Sequence, residues 1–187
     1  MAKLFLLLGI MTLLQSCGFK LRGSQALPDD ITSVILVANF NYSPLQRALD
    51  RRLPVYQLQS RVVERKALNT ITDLNSVAII LQPESLERRL LSVFSTGQVA
   101  EYELIFSVNY QVIFPNSEPI KASMTVAREY QDDPDEVLAK SRELDLVLDE
   151  MRNETADRMI RLLSSQYTSA VKLSANKTPY SQSPAVE

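Results

Sequence analysis

The longest regular pattern in the chain is an alternation. From Glu101 to Phe114, the residues Tyr102, Leu104, Phe106, Val108, Tyr110, Val112 and Phe114 fall on one side, while Glu101, Glu103, Ser107, Asn109 and Gln111 fall on the other. A period of two sustained over this length predicts a long strand with one buried face. Ile120 to Tyr130 alternates again, with Ile120, Ala122, Met124 and Val126 inward, and "PNSEP" at 115–119 reads as the loop between them. The pair therefore predicts an antiparallel meander. Ahead of it, Leu86 to Phe94 reads as extended chain and "STGQ" at 95–98 as a turn. Val77 to Leu81 is a strand by composition, and Pro83 directly after it implies an edge or a bulge.

Two segments carry helical spacing instead. Ser43 reads as an N-cap, with Pro44 at the first helical position and Gln46 completing a capping box. Leu45, Ala48, Leu49 and Leu53 share one face, and Pro54 ends the helix. The second helix is predicted from Asp133 as N-cap and Pro134, with Glu136 completing its box. Its apolar stripe is Val137, Ser141, Leu144, Leu148, Met151, Thr155, Met159 and Leu162, running to about Ser165. Glu154–Arg158 and Asp157–Arg161 are favourable pairs on its solvated side. Ser33 to Phe40 is a β-branched run that predicts a first strand. Val55 to Asn75 has no sustained period; "VYQLQS" reads as a short strand and Glu64 to Leu68 as a turn of helix. Strand, helix, several strands, helix is most economically an α/β (α+β) two-layer sandwich. One mostly antiparallel sheet would carry both helices on one face.

Composition narrows the chemistry. There is no histidine and one cysteine in 187 residues. That removes Ser-His-Asp and Cys-His catalysis, His-ligated metals, an internal disulfide and a Cys-rich zinc site. No nucleophile stands beside a base: Ser141 and Lys140 are adjacent, and adjacent helix positions do not face each other. The acidic run Asp132, Asp133, Asp135 and Glu136 reads as helix N-terminal capping. No catalytic residue, cofactor or metal is expected, and a formal net charge of −2 gives no drive toward nucleic acid.

The N-terminus is of a different kind. Lys3 precedes an apolar run from Leu4 to Leu14, about half of the roughly 20 residues that span a bilayer, which fits an export signal. Leu14-Gln15-Ser16-Cys17 resembles a bacterial lipobox, with Leu at −3 and a small residue before the thiol. That resemblance implies cleavage before Cys17 and its acylation, so that outer-membrane lipid holds the chain by several buried acyl chains. Gly18 after the cysteine implies the outer membrane as address. The expected organisation is a signal at 1–16, an acylated lead-in at 17–31, a folded domain at 32–166 and a disordered polar tail at 167–187.

Further motifs point to one family. "CGFKLRG" followed by "LP" and a strand, "GQVAEYEL" leading the long strand, "DDPDEVLAK", Asp149-Glu150-Met151 and "ADRMIRLL" occur in order from Met1 to about Ser165. Together they resemble the lipopolysaccharide-assembly lipoprotein family LptE. The resemblance implies a sheet with two helices on one face. It also implies a partner rather than a reaction: a plug on the periplasmic side, within the lumen of the LptD β-barrel, contacting lipopolysaccharide. One basic contact of the family falls at Lys140. A second falls in the turn after "SVF", where this chain has uncharged Ser95, and Arg88, Arg89 and Arg128 are the candidate replacements. The alternative is a generic periplasmic lipid carrier or adaptor, which would need a large apolar cavity.

Overall fold

The computed structural model describes residues 27–28, 31–38, 43–66, 75–133 and 136–176. The export signal and Cys17 lie outside them. The elements are β1 Ser33–Ala38, α1 Pro44–Arg52, a 3₁₀ turn Leu53–Tyr56, β2 Gln59–Glu64, β3 Ser76–Leu81, β4 Ser85–Val93, β5 Val99–Ile113, β6 Ile120–Gln131 and α2 Val137–Asn176.

The six strands form one sheet. β1 is parallel to β2 and to β3, whereas β3, β4 and β6 each run antiparallel to β5. The 15-residue β5 is the common partner. β3 pairs with its C-terminal end and β4 with its N-terminal part, and β6 runs along it from Glu101 to Val112. Leu81 lies opposite Tyr110 and Ser85 opposite Ser107, so four steps on one side face three on the other. The chain from β3 to β4 thus carries one extra residue in the stretch that contains Pro83. The bulge implied by that proline is present, and β3 itself is fully buried between β1 and β5. The extra residue also changes phase: Val77, Ile79 and Leu81 enter the main core, while beyond the bulge it is Leu86, Arg88 and Leu90 that stand opposite the core positions Phe106, Leu104 and Tyr102.

The core lies between the sheet and both helices. The inward set of the alternation, Tyr102 through Phe114, joins it in full, as do Val126 and Tyr130 of β6. A second cluster occupies the other face, where Ile35, Val37, Ala78 and Ile80 are buried with Val63 and Ile113 against them.

α1 starts as its sequence dictates, with the Ser43 hydroxyl accepting from the Gln46 amide at 3.0 Å. Only half of the expected box forms, because the buried Gln46 Oε1 has no hydrogen-bond partner. After the 3₁₀ turn, Gln57 adopts a left-handed φ of 62° and its N–H closes onto the Pro54 carbonyl. The strand expected in "VYQLQS" therefore starts later, at Gln59.

α2 departs from expectation at both ends. It begins at Val137, not at the position after Asp133; its first helical bond is Lys140 N–H to the Glu136 carbonyl, 2.9 Å. Pro134 lies outside the described residues. Val137 is 66% exposed, and Ser141 is exposed too, so the stripe meets the core only from Leu144 onward. At its far end Leu163 is buried and Leu162 is not. The tail expected to be disordered from 167 continues as helix to Asn176. Tyr167 packs edge-on against Phe114 at 5.4 Å and Ala170 is buried. The hydroxyls that suggested a polar tail turn back onto the helix: Thr168 donates to the Ser164 carbonyl and Ser169 to that of Ser165.

Glu154 pairs with Arg158 as expected. Asp157 does not take Arg161; it binds Arg52 of α1, and Arg161 donates to the Tyr56 hydroxyl.

Candidate functional site

Strand pairing decides which basic residues share a face, because residues directly opposite on neighbouring strands project the same way. Arg128, Leu104 and Arg88 form one row across β6, β5 and β4, and Tyr130, Tyr102 and Leu90 form the next. Leu104 is fully buried under the helices, so both rows lie on the helix side. Arg89 is one step out of phase. It projects from the other face and pairs with Glu103 directly opposite.

Tyr130 organises the helix side. Its hydroxyl donates to the Lys140 carbonyl at 2.7 Å, tying the end of β6 to the first turn of α2. The Lys140 ammonium stands 5.7 Å from the Tyr130 ring centroid, a cation–π contact. The same ammonium bonds Glu143 at 2.9 Å, which raises its pKa, helped by the negative groups around it. Burial pushes the Tyr130 hydroxyl above its ordinary value. Asp132 and Glu143 add to that, and the positive charges of Lys140 and Arg88 oppose it. Arg88 therefore faces the same side of the sheet as Tyr130 and Lys140, from β4 across β5.

The four basic candidates are not equivalent. Arg128 is committed to Glu154 of α2, Arg89 to Glu103 and Lys140 to Glu143. Arg88 makes no hydrogen bond or ion pair among the described residues. On either side of it along β4, Leu86 and Leu90 are exposed on the same face. Just beyond lies the β4–β5 turn, where exposed Ser95 precedes Gly97, whose φ of +84° suits a residue without Cβ. A cation without an internal partner, a second cation close by and flanking leucines can hold an anionic group and an apolar chain together. The sequence singled out the cations but not Tyr130 or the leucines, since the step from Tyr130 to Lys140 joins two elements and leaves no periodic trace.

Residues 31–163 match the LptE family model, described as lipopolysaccharide-assembly. The chain belongs to the LptE family. An LPS-assembly lipoprotein LptE of Pectobacterium atrosepticum is 32% identical over 161 residues, 84% of this chain and 83% of that protein. One of Yersinia enterocolitica is 30% identical over 170 residues, 90% and 79% of the two chains. Among solved structures, the rare lipoprotein B of Shewanella oneidensis superposes with a TM-score of 0.61 at 35% identity, covering 74% of this chain and 98% of its own. That likeness matches the LptE sheet and helices described above. LptE proteins serve assembly and not catalysis. Among the described residues no helix is long and apolar enough to cross a membrane.

Proposed function

We propose that this LptE chain is an outer-membrane lipoprotein, anchored through acylated Cys17, that contacts lipopolysaccharide with the face around Arg88 and Lys140. We also propose that it serves as plug and assembly partner of the LptD β-barrel. The observation that carries the lipid contact is Arg88. A guanidinium on an exposed strand, unpaired and flanked by Leu86 and Leu90, has its donors free for phosphate and apolar surface beside them for acyl chain. Lys140 adds a second cation across Tyr130. Arg89 and Arg128, each held by a glutamate, contribute less.

The barrel reading is supported by the family and by an exterior that mixes both signs of charge, as a wet lumen requires. Affinity purification of the lipidated chain from detergent-solubilised outer membranes should bring down a large β-barrel; its absence overturns the plug. Arg88→Asp should weaken lipopolysaccharide binding about tenfold or more at unchanged melting temperature, and Arg89→Asp much less. Equal losses at both positions would show charge alone at work and remove the site.

A further inference from the structure

We propose that the face of the sheet opposite the two described helices carries a separate binding site for an oligosaccharide bearing an acidic substituent. Gln82, Asn109, Gln111, Lys121 and Ser123 would form it. Only the source of the saccharide, as the sugar part of lipopolysaccharide, rests on the reading above; the site itself does not.

These five side chains line a depression of about 460 Å³, whose floor is completed by the strand backbone at Tyr110 and Ala122. The side chain of Tyr110 is turned away into the core. Pairing brings the five together: Gln111 lies opposite Lys121 and Asn109 opposite Ser123, while the Gln82 N–H donates to the Asn109 carbonyl at 2.9 Å. Gln82 belongs to the bulge between β3 and β4.

Their chemistry is specific in two ways. First, none of the five side chains makes a hydrogen bond or ion pair among the described residues. The next row differs, since Ser107 and Thr125 bond each other at 3.1 Å. Three amides and a hydroxyl supply donors and acceptors side by side, which is what a polyol presents in return. Secondly, the sole charge among the five is Lys121, with no carboxylate paired to it. One cation among neutral groups selects a mostly neutral ligand carrying about one negative charge, unlike the apolar and cationic face around Arg88. The two faces are also far apart along β5. Tyr102 and Gln111 are nine positions apart, about 30 Å at the rise of a strand.

The test uses the full chain in detergent and three probes: core oligosaccharide freed from rough lipopolysaccharide by mild acid, lipid A, and neutral maltoheptaose. The oligosaccharide should shift the side-chain amide NMR signals of Gln82, Asn109 and Gln111. Lys121→Glu and Gln111→Leu, both on the strand surface, should each weaken its binding about tenfold by calorimetry and leave lipid A binding unchanged. Maltoheptaose should bind more weakly than the acidic oligosaccharide. Unmoved amide signals, or oligosaccharide binding lost in Arg88→Asp but kept in Lys121→Glu, overturn the proposal. So do amide signals that answer to an added barrel protein and to no saccharide, which would make this face a wall contact. Oligosaccharide binding without lipid A binding would instead overturn the reading of Arg88 and leave this site standing.

Discussion

Arg52 grips Asp157 with two parallel hydrogen bonds, Nε to Oδ1 at 2.7 Å and Nη2 to Oδ2 at 2.6 Å, and so fastens the end of α1 to the middle of α2. Tyr56 adds a third donor to the same carboxylate at 3.2 Å. The bidentate bond to Asp157 raises the Arg52 pKa, against a smaller effect of burial. The arginine side chain is 36% exposed, so solvent screens part of the attraction. Asp157→Ala should lower stability by about 1–2 kcal/mol in urea unfolding. A double-mutant cycle with Arg52→Ala should return a coupling clearly above that of Arg158 and Glu154, an ordinary pair along one helix.

The other end of α1 is held by Glu84. Its carboxylate accepts from the Leu45 backbone N–H at 3.3 Å and from Arg152 of α2 at 3.1 and 2.9 Å. One side chain in the bulged link thus satisfies a helix N-terminus and an arginine that is mostly buried. Glu84→Ala should cost about 1–2 kcal/mol, because Arg152 keeps only Asp149. Glu84→Gln should cost less, since an amide oxygen still reaches Leu45. Thermal melts of the two variants rank them.

The C-terminal turns of α2 belong to the folded unit. A stop codon after Gln166 removes Tyr167 from Phe114 and uncovers the core beneath Ala170. Truncation there should destabilise the chain by about 1–3 kcal/mol, whereas removal of 177–187 should not change its melting temperature by a comparable amount. If both truncations melt together with the intact chain, the last turns contribute no packing.

Alkali should loosen the fold through two tyrosines. Burial pushes Tyr110 and Tyr130 above their ordinary value of about 10. A raised folded pKa means that the unfolded chain gives up these protons first. Their contribution is whole below pH 10 and is lost as pH rises through the folded values. Denaturant midpoints should therefore fall as pH rises above 10, and Tyr110→Phe should flatten that slope.

What the sequence made legible follows from how far each signal extends along the chain. The β5 alternation runs unbroken and every inward position from Tyr102 to Phe114 lies in the core. Ser43 and Pro44 located the start of α1, because a cap is decided within four residues. α2 was misjudged at both ends for tertiary reasons. Whether Val137 is covered depends on where the sheet stops, and whether residues 167–170 pack depends on Phe114, more than fifty residues earlier. The site divides in the same way. Arg88, Arg89, Lys140 and Arg128 could be named from residue type, but their ranking came from pairing: one step of phase sends Arg89 to Glu103, and Glu154 of α2 claims Arg128. The five residues of the polar depression had no sequence signal, since register alone collects them.

That β5 serves as partner to three strands has a consequence for synthesis. Antiparallel hairpins between β4, β5 and β6 join near neighbours, but β3 waits for residues 110–113, some thirty positions later. A chain emerging N-terminus first therefore presents "SVAIIL" with one edge unclaimed for the whole time that β4 and β5 are being made. The segment is apolar, β-prone and uncharged, the composition that stacks with copies of itself. That hexapeptide keeps an open edge until residues 110–113 have appeared, and the sheet's own closing strand then covers it.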